Sequence, residues 1–144
     1  NEITDVGNIG GIVRTAYSLG ADAVIATGVK GLNYAAIARS SSAALFDMQF
    51  AVEYNILDVI NELKQQDFTV YAASMGGEEL EKANFDPKVA LVLGSEGKGI
   101  SGKILKKVDK KIEIKMNRDF DSLNVSVAAG IIINRIANDY KRVN

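Results

Sequence analysis

Val89-Ala90-Leu91-Val92-Leu93-Gly94-Ser95-Glu96-Gly97-Lys98-Gly99 joins an unbroken apolar run to a glycine-rich polar turn. Apolar residues with no polar alternation suit a strand buried on both faces, as inside a parallel sheet. Ligands of such sheets usually lie at the carboxyl ends of the strands. The turn is therefore the first place to look for chemistry. It is not a phosphate-binding P-loop. That motif needs four residues between its first Gly and its Gly-Lys pair, then Ser or Thr. Here Ser95 and Glu96 alone intervene and Gly99 follows. Gly7-Asn8-Ile9-Gly10-Gly11 likewise misses the dinucleotide spacing. What remains at 94–99 is backbone that a ligand can approach closely, with one carboxylate, Glu96, in its midst. A plain turn explains the same residues.

Working outward, helices and strands alternate. Helical spacing runs over 9–19 and stops at Gly20. Residues 23–26 read as a short buried strand. The small residues of 35–44 suit a short helix interrupted at Ser40-Ser41-Ser42. Apolar Ile56, Leu57, Val59, Ile60 and Leu63 predict an amphipathic helix over 56–66. Residues 69–73 and 112–114 read as strands. Ser101 is placed to cap a short basic helix through Val108, and 125–140 is the final helix. The expected fold class is α/β, a mostly parallel sheet with helices on both faces, in one domain. Three strand exits then converge, at Ser74-Met75-Gly76-Gly77, at 94–99 and at Lys115-Met116-Asn117.

Composition narrows the chemistry. The chain has 144 residues, 47% hydrophobic and 24% charged, with one Pro, which suits a domain with a real core. There is no Cys and no His, so disulfides, thiolate metal sites and the commonest general base are excluded. No metal site is expected, no run reaches membrane-spanning length and no signal peptide is visible. A cytoplasmic protein with no membrane partner is the default. Net charge is −1, yet between Lys98 and Arg118 eight cations face two carboxylates, Asp109 and Glu113. That segment is either a solvated face or a phosphate-binding patch.

Two further polar groups stand beside the glycine turn. Asn8 is placed to cap the first helix, and Arg14 sits among apolar and small neighbours. Ser122 and Asn124 precede the last helix, where either can serve as its cap. Singly, each has a structural explanation. In order, Asn8-x-Gly10-x-x-x-Arg14, Leu93-Gly94-x-Glu96-Gly97-x-Gly99, and Ile114-x-Met116 followed by Ser122-Leu123-Asn124-Val125-Ser126 resemble the three motifs of the SpoU (TrmH) branch of the SPOUT RNA methyltransferases. The resemblance spans nearly the whole chain. The stretches 38–45 and 54–63 are also similar to members that methylate a guanosine ribose in large-subunit ribosomal RNA.

The resemblance implies a sheet whose C-terminal part is threaded into a deep trefoil knot. It implies S-adenosylmethionine as cofactor, met by Gly94, Ile114, Met116 and Leu123. It implies transfer of a methyl group to a ribose 2′-hydroxyl of RNA, with Asn8, Arg14, Glu96, Ser122 and Asn124 as the catalytic set. In that set Arg14 stabilises the nascent alkoxide and holds RNA phosphate, because a guanidinium is too weak an acid to serve readily as a base. Glu96 would orient Arg14, Ser122 and Asn124 would position Arg14 or the ribose, and Asn8 would hold the target nucleotide. Members are homodimers, so Arg14 can act across an interface. The apolar Ile131-Ile132-Ile133 fits either such an interface or a monomer core.

Departures are visible. The usual Ile-Pro-Met reads Ile114-Lys115-Met116, where Lys115 offers an RNA contact instead. Members have a strand just before the position of Ile3, and many carry an N-terminal RNA-binding domain. Residues 1–144 are therefore expected to be a catalytic domain lacking its first strand. The alternatives are a tRNA 2′-O-methyltransferase of the same family, a non-catalytic RNA- or ribosome-binding relative, and an unrelated nucleotide-binding α/β domain.

Overall fold

The computed structural model describes residues 1–143, with side chains described as far as Tyr140. Helix α1 spans Val6–Ser18. Its N-cap is Asp5, whose Oδ1 accepts the N–H of Asn8 at 2.8 Å. Asn8 is thus inside the first turn and is not the cap. Gly20, at φ +86°, ends the helix as its spacing predicts. Strand β1 (Ala23–Thr27) follows, then α2 (Tyr34–Ser40). Ser42 and Ala43 take positive φ and break the helical path before a 3-10 turn, Ala44–Phe46.

Strand β2 (Gln49–Glu53) has no counterpart in the sequence reading. It pairs only with β1, and its mixed composition and largely exposed residues leave little periodic signal. Helix α3 is Ile56–Gln65. Strand β3 (Thr69–Glu79) runs six residues past the expected end. A bulge between Ala73 and Glu78 lets it resume pairing with β5, so Ser74 to Gly77 belong to a strand rather than to its exit loop. Strand β4 is Val89–Val92, and α4 is only Gly102–Leu105, capped by Ser101 as expected. Strand β5 (Lys110–Glu113) and helix α5 (Val125–Val143) complete the chain.

All strand pairings are parallel, but they form two sheets, β1-β2 and β4-β3-β5, where one was expected. The first residues lie in the seam. The Asn1 amino group donates to the Leu93 carbonyl at 2.7 Å, and Glu2 N–H donates to the Thr27 carbonyl at 2.8 Å.

Burial follows the pleat of β3. Val70 and Ala72 face α3 and α4, packing with Ile60, Val92 and Ile104. Tyr71 points to the opposite face, against Ile112 and Ile132 of α5. A third cluster joins α1 to α2 around Val13 and Ile37. Ile12 of α1 packs on Val125 and Ala129 of α5. Gly10 is required for the α1–α2 contact, since a Cβ there would lie 2.6 Å from Ser40 Cβ. The Ile131-Ile132-Ile133 run divides: Ile132 is buried, Ile133 packs on the α1 clusters, and Ile131 is 41% exposed.

Candidate active site

Helix α5 begins at Asn124, whose carbonyl accepts Ala128 N–H at 2.9 Å. Its side-chain Oδ1 accepts from Ser126 N–H at 2.9 Å, Ser126 Oγ–H at 2.6 Å and Val127 N–H at 3.4 Å. This is an N-cap, one of the two roles read from the sequence. Backbone donors on one side of the amide turn its Nδ2 the other way. Nδ2 donates to Asn8 Oδ1 at 3.0 Å and to Glu96 Oε1 at 2.8 Å. Glu96 Oε1 also accepts the first helical N–H, that of Val125, at 3.3 Å. A carboxylate there is favoured by the helix dipole and by otherwise unpaired N–H groups.

One amide therefore joins the three motifs. Asn124 is 116 residues from Asn8 and 28 from Glu96. Both of its amide hydrogens are in use. The groups left without a partner among the described residues are Asn8 Nδ2, a donor, and Glu96 Oε2, an acceptor. A site with one free donor beside one free acceptor can hold a hydroxyl or a base edge. Ser126, which closes the third motif but has no role read from the sequence, fixes Asn124 from both its N–H and its hydroxyl. Its spacing two residues after a capping Asn is the signal that marks it. Gly11 keeps this corner close, since a Cβ there would lie 3.2 Å from Ser126 Cβ.

Arg14 is not in this cluster. It is exposed on α1 and makes no hydrogen bond or ion pair with any described residue. The expected Glu96 contact is absent because Glu96 is drawn to the start of α5. Six residues along a helix carry Arg14 about 120° around from Asn8 and about 9 Å further on. Ser122 is exposed as well, and its hydroxyl makes no described hydrogen bond.

Gly94 has a different duty from the one expected. A Cβ at this position would meet the Gly99 carbonyl carbon and oxygen at 2.5 Å and Ile100 Cγ1 at 2.8 Å. The 94–99 turn folds back on itself through a bridge between Ser95 and Gly99, with Gly99 N–H donating to Ser95 O at 2.8 Å. The close approach that demands glycine is made by the chain's own backbone.

Ile114, Met116 and Leu123 are half-buried beyond β5. Ile114 packs toward α5 and lines a groove of about 260 Å³ with Glu79, Lys115, Ile131 and Arg135. The main-chain N–H groups of Met116 and Leu123 make no described hydrogen bond. Half-buried apolar side chains beside free backbone donors suit an adenosine, so these residues fit the expected cofactor. Lys115 Nζ lies 3.2 Å from Glu79 Oε1, tying the exit of β5 to the end of β3. Lys82 first, then Lys115, hold the Glu79 carboxyl below the usual carboxylate range. Glu113 Oε2 accepts Gly76 N–H at 2.8 Å and pins the β3 bulge. No group of three metal-ligating side chains occurs among the described residues, and none of their helices is long and apolar enough to cross a membrane.

Known proteins share this architecture. An uncharacterized tRNA/rRNA methyltransferase of Borreliella burgdorferi is 38% identical over 135 residues, covering 92% of this chain and 59% of that protein. The 23S rRNA (guanosine-2′-O-)-methyltransferase RlmB of Ralstonia nicotianae is 32% identical over 134 residues, covering 91% and 53%. The chain thus spans little more than half the length of these curated relatives. The crystal structure of the SpoU methyltransferase AviRb from Streptomyces viridochromogenes, in complex with AdoMet, superposes with a TM-score of 0.87. It is 24% identical and covers 98% of this chain and 55% of that one. With residues 1–134 matching the SpoU rRNA Methylase family, the chain belongs to that family.

Proposed function

We propose that residues 1–144 form the catalytic domain of an S-adenosylmethionine-dependent RNA 2′-O-methyltransferase acting on a guanosine ribose of ribosomal RNA. The observation that carries this reading is the bonding of Asn124 to both Asn8 and Glu96, which gathers three separated motifs at one helix N-terminus. SpoU methyltransferases use S-adenosylmethionine, and AviRb is solved with it bound. The guanosine assignment leans on the likeness to RlmB.

When bound, the cofactor supplies an electrophilic methyl group on a sulfonium. That methyl group would pass to the ribose 2′-oxygen, whose proton would leave to solvent. Ile114, Met116 and Leu123 would hold the cofactor through apolar walls and free backbone groups, beside the turn that Gly94 keeps closed. Asn8 Nδ2 donates to the target nucleotide and Glu96 Oε2 accepts from it, while Asn124 holds both in place. Ser122 lies two residues before Asn124 and faces the ribose. Arg14 acts on the nascent alkoxide and the adjacent phosphate. That it makes no bond to Glu96 within one chain supports action across a homodimer interface. Val127 and Ile131, exposed one turn apart on α5, support that interface. The return of Asn124 to the loop after β4, once the chain has paired β5 beyond β3, supports the trefoil knot.

The test is transfer of labelled methyl groups to ribosomal RNA by the full-length protein, with the product mapped as a 2′-O-methyl nucleotide. Arg14→Ala is expected to lower turnover at least a hundredfold while cofactor affinity by calorimetry changes less than threefold. Normal turnover in that variant removes Arg14 from the mechanism. Absence of transfer by the parent to ribosomal RNA, with transfer to tRNA, moves the substrate to the other RNA class.

A further inference from the structure

A second concentration of polar groups lies at the same end of the strands. An open cleft of about 520 Å³ is lined by Lys30 beyond β1, Tyr54 and Asn55 beyond β2, and Ser101 and Lys103 at the start of α4. Lys30 and Lys103 are exposed, and neither has an ion-pair partner among the described residues. Glu2 is the one carboxylate among the lining residues, so cations outnumber it there. Tyr54 is 73% exposed, and Lys30 Nζ lies over its ring, 5.7 Å from the centre. Asn55 Oδ1 is committed to Leu57 N–H, which leaves the Nδ2 donors of Asn55 free. Ser101 follows Glu96 by five residues of chain, which span at most about 18 Å. One nucleic-acid strand therefore reaches both places.

Cations without an ion-pair partner beside an exposed aromatic ring are what a single strand requires. The phosphate is met by charge, and the base stacks on a ring that accepts any sequence. We infer that this cleft is a nucleotide subsite, taking a single-stranded RNA residue that flanks the methylated one. Its base stacks on Tyr54 and its phosphate lies between Lys30 and Lys103. The identity of the ligand as RNA rests on the methyltransferase reading above. The place where it binds rests on this geometry.

The experiment uses the full-length protein and a fluorescein-labelled single-stranded oligoribonucleotide of about twelve nucleotides. Binding is followed by anisotropy across a salt series, with S-adenosylmethionine affinity measured in parallel by calorimetry. Tyr54→Ala is expected to weaken RNA binding about tenfold, and Tyr54→Phe, which keeps the ring, to stay within twofold of the parent. Lys30→Ala with Lys103→Ala is expected to flatten the plot of log affinity against log salt by about 0.7, the contribution of one phosphate on a single strand. All variants keep the parent's cofactor affinity and melting temperature. If Tyr54→Ala and the double lysine variant bind RNA with the parent's affinity and salt slope, the subsite is wrong and the methyltransferase reading stands. If the parent binds S-adenosylmethionine but no RNA, both fall together.

Discussion

Asn124 is both a helix cap and the hinge pin of the candidate site. Removing its side chain frees two backbone N–H groups of α5 and lets Asn8 and Glu96 turn independently. Loss of an Asn cap costs about 1 kcal/mol. Asn124→Ala is therefore expected to lower stability by about that amount in denaturant melts. Its methylation rate should fall far more than the population of folded protein does. A rate that tracks stability alone would leave Asn124 a cap and nothing else. Residue types and order were legible in the sequence here, as were Glu96 and the capping role of Asn124. Partners were not. Nothing local says that Glu96 turns to the Val125 N–H instead of Arg14, because that choice depends on where α5 starts in space. Asp5 displaced Asn8 as the α1 cap for a similar reason: both suit the role, and three residues decide between them.

Elements whose pattern is strongly periodic were readable, and those held by pairing were not. Helix α3 and strand β4 lie within a residue of their expected limits. Strand β2, exposed over most of its length, and the continuation of β3 through Gly76-Gly77 exist because a neighbouring strand accepts their backbone. At Gly77 a Cβ would lie 2.6 Å from the Lys111 carbonyl carbon, so the bulge and β5 meet backbone to backbone. The glycine turn after β4 is the same kind of contact. Gly94→Val is expected to open the turn, lowering the melting temperature and cofactor affinity together, since overpacking typically costs about 1–3 kcal/mol. Thermal unfolding paired with calorimetry checks this. Lost affinity at an unchanged melting temperature would instead place the methyl donor directly against Gly94.

Across the whole molecule, the parallel α/β class was evident from composition and alternation, whereas the pairing of the strands as β1-β2 and β4-β3-β5 was not. The face shared by β3, β5 and α5 centres on Tyr71, which is fully buried. Its hydroxyl accepts Asp86 N–H at 3.0 Å and donates to Asp86 Oδ2 at 3.2 Å, while Lys110 Nζ lies over the ring, 5.5 Å from its centre. Burial, the leading cause, pushes the phenol above its ordinary value of 10.0. A folded-state pKa above the unfolded one adds stability that is complete below pH 10 and is lost as pH rises through the folded value. Thermal unfolding between pH 8 and 11 is therefore expected to show a steep alkaline decline. Tyr71→Phe, though less stable at neutral pH because Asp86 N–H loses its acceptor, should decline less steeply. Equal slopes would assign the alkaline loss to other groups.

The bond between Asn8 and Asn124 also has a consequence in time. Its partners are separated by 116 residues, so during synthesis the first waits for the second. At about 5–20 residues per second that interval is on the order of ten seconds. For all of it Asn8 is already made, and over its last 28 residues Glu96 is too, yet the amide that holds them together does not exist. A nascent chain can build the packing of α1 on α2 and the pairing of β3 with β4 long before it owns a reactive corner. Competence arrives last, with the first turn of the final helix.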